Sequence, residues 1–121
     1  MPARVTLTKL TACGSYPSLQ PAVNTLDLPM TAASTASKDQ FAATGNDLII
    51  AHNTGAGAHT VTISSVANAK NRTGDITAYS IDAGEIAVIG PLKNLGWTQT
   101  DGKIYLEANH AEVKFGIITI P

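Results

Sequence analysis

Charge is scarce in this chain. Asp, Glu, Lys and Arg make up 14% of its 121 residues, against roughly 25% in average soluble proteins. The eight Lys and Arg residues are scattered from Arg4 to Lys114 and the formal net charge is −1, so no basic patch supports binding to nucleic acid. No apolar run approaches the roughly 18 residues of a membrane-spanning helix, and no membrane partner is expected. No charged segment followed by an apolar one opens the chain, so no signal peptide is expected. Cysteine occurs once, as Cys13; an intrachain disulfide is excluded, and synthesis in a reducing cytoplasm is expected. Aromatics amount to 5%, which leaves little for the stacking platforms on which sugar-binding modules depend.

Alanine and threonine take the place of the missing charge. A surface of this kind is cheap to desolvate and suits a subunit packed among neighbours; a compositional habit of the coding genome would account for the same figure. The patterning is that of strands. Val5 and Leu7 alternate with Thr6 and Thr8, and a second strand is expected through Leu26 and Leu28. Leu48 to Ala51 is a short apolar block, and Val61 and Ile63 alternate with Thr60, Thr62 and Ser64. Ile76–Ile81 and Ile86–Ile89 read as a hairpin around Asp82-Ala83-Gly84. Ile104 and Leu106 share one face against Lys103, Tyr105 and Glu107, and Val113, Phe115 and Ile117 line the last strand. Turn-forming residues separate these runs at short intervals.

The spacing predicts one all-β domain over residues 1–121, an antiparallel sandwich of about eight strands. Its expected core is Val5, Leu7, Ile49, Val61, Ile63, Ile86, Val88, Ile104, Leu106, Val113, Phe115 and Ile117. Residues 1–23, punctuated by Gly14, Pro17 and Pro21, read as an irregular arm, and the alanine-rich stretch 32–43, the one helix candidate, as loop, with a single helical turn as the alternative. In an arm, Leu10, Tyr16, Leu19 and Val23 are the apolar anchors, with Arg4 and Lys9 for polar contacts at the rim. An edge strand over Val5–Leu10 is the alternative.

Catalytic chemistry finds no foothold. No G-x-S-x-G elbow is present, Cys13 has no base near it in sequence, and the acids fall mostly at turns or strand ends. No enzyme and no cofactor is expected. His52 and His59 flank one loop, but zinc needs three or four ligands. The remaining candidates, His110 and Cys13, stand in distant segments without ligand spacing, so no metal site is expected. Trp97, between glycine and polar residues, reads as a core or interface anchor, with a sugar platform as the alternative.

The order of motifs adds a resemblance. From residue 44 the chain runs Thr-Gly-Asn-Asp-Leu-Ile-Ile-Ala-His-Asn, then His59-Thr-Val-Thr-Ile-Ser64. Asn71-Arg-Thr-Gly-Asp-Ile76, Ile81-Asp-Ala-Gly-Glu85 and Ile89-Gly-Pro91 follow. Trp97-Thr-Gln99, Asp101-Gly-Lys-Ile104 and the apolar strand Val113 to Ile120 complete the series. This succession resembles the small capsid cement, or decoration, proteins of tailed phages over residues 44–120. It departs from them at Leu92–Leu95, which is poorer in proline. The resemblance implies a jelly-roll-like sandwich, a homotrimer, and the major capsid protein as partner at the outer surface of a virion. Another virion component, in head–tail or tail attachment, and a carbohydrate- or cell-surface-binding module are the alternatives.

Overall fold

The computed structural model of the chain describes residues 3–13, 23, 26–66 and 74–120. Among them are ten strands and no helix: β1 (Val5–Thr6), β2 (Lys9–Thr11), β3 (Thr31–Ala32), β4 (Asp39–Ala42), β5 (Asp47–Asn53), β6 (His59–Ile63), β7 (Ile76–Ile81), β8 (Ile86–Leu92), β9 (Lys103–Ala108) and β10 (Val113–Thr119). They form two sheets, ordered β1-β4-β9-β6-β7 and β2-β10-β5-β8, with β3 also paired to β10. Residues of both sheets meet in one buried cluster, with Phe41, Val61, Ile63, Ile104 and Leu106 on one side and Ile49, Val113, Phe115 and Ile117 on the other. Each such side chain, fully buried, contributes about 1.5–3 kcal/mol of hydrophobic stabilisation.

The all-β sandwich stands, with two more strands than expected and with mixed rather than purely antiparallel sheets. The mixed pairing arises at the N-terminus, where the expected first strand is split in two. β1 pairs parallel with β4, and β2 parallel with β10, so one short extended run edges both sheets in succession. Leu7, between the two strands, is 5% exposed and fills the crossing point.

Stretch 32–43 is not loop throughout. A turn at residues 35–37 leads into β4, whose Phe41 is wholly buried; alanine-rich neighbours mask this strand in sequence. Leu26–Leu28, by contrast, forms no strand. This segment crosses the outside of the second sheet instead. A Cβ on Gly116 would stand 2.5 Å from Met30 Sδ and 2.8 Å from Leu28 Cδ2, so the bare glycine leaves the segment its seat. The turn at Asp82–Gly84 exists, but it makes no hairpin. β7 pairs with β6 and β8 with β5, and the turn carries the chain from one sheet to the other.

Three expected core residues are also displaced. Val5 is 39% exposed, Ile86 59% and Val88 60%. Val5 lies on an edge strand of two residues, where the next inward position, Leu7, takes the core role. The cause for Ile86 and Val88 is their pairing with β5, described next.

Candidate interaction surface

Ile86-Ala87-Val88-Ile89 is apolar on both faces, so alternation alone cannot say which face is inside. Cross-strand register decides. Ile89 pairs with Ile49 and Ala87 with Ala51, and both partners are fully buried. Ala87 and Ile89 therefore pack against the core, while Ile86 and Val88 are turned outward. In the outer rows Val88 stands beside Ile50, itself opposite Gly116, and Ile86 stands beside His52. Across the flank of the sandwich, Tyr79 of β7 is 52% exposed. Shallow grooves run between the two strands, lined by Ile76, Tyr79, Ile86 and Val88 along one stretch and by Ser80, Ile81 and Glu85 along another.

The backbone on this flank is open as well. Among the described residues β7 pairs only with β6, and β8 only with β5. Soluble proteins usually protect such edges with lysines or inward charges. Here Glu85 is the only charged lining residue of the grooves, and Pro91 alone interrupts the donors near the end of β8. Exposed apolar side chains beside unpaired strand edges are features that association surfaces of other proteins share.

The residues singled out from the sequence lie elsewhere. Arg4 is turned onto its own chain: its guanidinium donates to the Asp39 carbonyl at 3.0 Å and lies 4.1 Å over the Tyr105 ring. Lys9 donates to the Ala42 carbonyl at 2.8 Å and sits 3.5 Å from the Asp47 carboxylate. Leu10 is half-buried on β2. Trp97 is partly buried against the core, which favours its role as an anchor over a sugar platform. Val23 is 87% exposed. Tyr16 and Leu19 lie outside the described residues.

Two acids beneath this N-terminal run differ in environment although both are fully buried by exposure. Burial pushes the Asp39 carboxyl above its ordinary value, and the Ser34 N–H and the Arg4 charge only partly oppose that. Among the described residues its Oδ1 meets no donor. Burial acts on Asp47 too, but the Thr44 N–H, the Thr119 and Thr44 hydroxyls and the Lys9 ammonium together outweigh it. They hold its carboxyl below the ordinary value.

Folding also gathers a cluster that sequence spacing hides. His59 opens β6, and His110 and Glu112 lie in the loop between β9 and β10. Their ligand atoms come within 4.8 Å of one another. The pairing of His52 with His59 is not what forms; His110 takes that place, stacked on His59 with ring centroids 4.5 Å apart. No sequence signal brings the two segments together, because it is sheet pairing that does so, β6 lying beside β9.

No protein-family model, curated protein or solved structure matches the chain.

Proposed function

We propose that this protein is a structural subunit that associates through the β7–β8 flank with further copies of itself, and serves as a capsid decoration protein on a tailed-phage head. The observation that carries the association is the outward placement of Ile86, Val88 and Tyr79 beside two unpaired strand edges. The capsid assignment adds the resemblance over residues 44–120, together with a surface poor in charge.

A closed ring of three copies buries one such flank per subunit. The flank bearing β1 and β2 then points away from the ring axis, where it is available to the capsid shell. Modest contacts from each copy add up, because the second and third engagements are intramolecular once the first is made. A jelly-roll connectivity belongs to this same proposal.

Sedimentation equilibrium at micromolar concentration tests the first part: the expected mass is three times 12.5 kDa. The Ile86→Lys, Val88→Lys double variant should sediment as a monomer with an unchanged circular dichroism spectrum. A monomeric parent protein overturns self-association in solution. Binding of the parent to purified capsid shells that lack it tests the second part, and absence of co-sedimentation with such shells overturns the capsid role.

A further inference from the structure

We propose that His59, His110 and Glu112 form a binding site for a divalent transition-metal ion of the zinc class, and that the ion staples the two sheets together at one end of the sandwich. The site owes nothing to the capsid reading. His59 Nε2 lies 2.9 Å from Glu112 Oε1, and His110 Nδ1 lies 3.6 Å from the same oxygen. Both imidazoles border the same carboxylate, but the rings are stacked close to parallel, at 10°, so one of them must turn before both in-plane lone pairs can meet one ion. Ligand atoms in a tetrahedral zinc site stand about 2.0–2.2 Å from the ion. Turning the half-exposed His110 ring is the movement that binding requires.

His110 Nδ1 accepts the Glu112 backbone N–H at 3.0 Å, so its lone pair points toward Glu112 and not into solvent. A metal ion competes with that N–H for the lone pair and with the His59–Glu112 contact for the carboxylate. Two imidazoles and one carboxylate are the donor set of zinc, cobalt and nickel, whereas calcium and magnesium select oxygen. The side chains of His110 and Glu112 are 52% and 47% exposed, which leaves the fourth position open to water.

The surroundings hold these ligands in place. Glu112 accepts at its carbonyl both the N–H and the hydroxyl of Thr54, at 3.0 and 2.6 Å. The fully buried Asn53 donates to the Gly57 and Ile81 carbonyls and accepts the Gly55 N–H, fixing the loop between β5 and β6. Gly55 faces the cluster: a Cβ there would overlap the Glu112 carboxylate and stand 3.0 Å from His59 Nε2. An ion bound here joins the start of β6, in one sheet, to the loop that enters β10, in the other.

The test uses the full chain without an affinity tag, stripped with chelator and titrated with zinc chloride by calorimetry, with cobalt(II) absorption as a second readout. One ion per chain, tetrahedral cobalt bands and a rise in Tm on zinc addition are expected. His59→Gln, Glu112→Gln and Gly55→Ala should each weaken binding about tenfold or more. His52→Ala and Cys13→Ser should leave it unchanged, and circular dichroism verifies that each variant folds. No binding at 100-micromolar zinc (on the order of the weakest useful affinity), or equal binding by the parent and Glu112→Gln, overturns the site and leaves an ion pair only.

Discussion

Asp39 and Asp47 carry opposite signs into the acid stability of this protein. Asp47 is held below its ordinary value in the folded chain, so its stabilisation is present above the unfolded value of about 4. That stabilisation is lost as pH falls through the lower folded value. Asp39 is raised, so the folded state binds its proton first, and stability gains as pH falls from the raised value toward 4. In urea titrations across pH, Asp47→Asn should lower stability at neutral pH by about 1–3 kcal/mol and flatten the loss below pH 4. The flattening stays incomplete, since Asp75 and Asp101, through their Ser65 and Tyr105 hydrogen bonds, are held low as well. Unchanged acid behaviour in the variant would show that Asp47 is not the dominant group. The sequence marks Thr44-Gly45-Asn46-Asp47 as a turn and no more. Burial of its last residue depends on Thr119 and Lys9, which reach it from the two far ends of the chain.

The strands differ in how plainly the sequence declares them. β9 and β10 alternate cleanly, and their inward residues Ile104, Leu106, Val113, Phe115 and Ile117 are all buried as expected. β8 is apolar on both faces and β4 has a single large apolar residue, so neither fixes its own orientation or existence. A neighbour must do so, β5 for the one and β9 for the other. The same limit hides the exposed apolar flank, since Ile86 and Val88 read as core until the register with β5 is known. Beyond Ile89 the register of β8 slips against β5 between Asp47 and Ile49. Gly90, at φ 113°, occupies this bulge, and a Cβ there would meet the Asp47 carbonyl oxygen at 2.7 Å and the Leu92 nitrogen at 2.9 Å. Backbone atoms cannot swing aside as side-chain ends do. Gly90→Ala is therefore expected to destabilise by about 2–3 kcal/mol. Gly84→Ala, also at positive φ but with nothing within 4 Å of its Cβ, should lose only about 1 kcal/mol. Equal losses in chemical denaturation would remove the steric argument.

At the scale of the whole molecule the two flanks of the sandwich are unlike. One is bridged by β1 and β2 with Leu7 between the sheets; the other is open between β7 and β8. An arm free to leave the body and an edge strand integral to it predict different costs at Leu7. With the residue buried, Leu7→Ala should lower stability by about 2–4 kcal/mol, whereas a solvated arm residue would change it by less than about 0.5 kcal/mol. For the same reason deletion of residues 1–20 removes two strands along with any capsid contact, and only surface substitutions can separate the roles. Parallel pairing of β2 with β10 was not legible, because hydrophobic alternation carries no information about strand direction or distant partners. It nevertheless governs how the body answers a pull on its ends. Lys9, Leu10 and Thr11 lie side by side with Ile117, Ile118 and Thr119, so tension applied before β2 and after β10 drags the two strands lengthwise past each other. Their hydrogen bonds are then loaded together in shear and do not open one at a time like a zipper, so the body resists a pull along this line through several bonds at once.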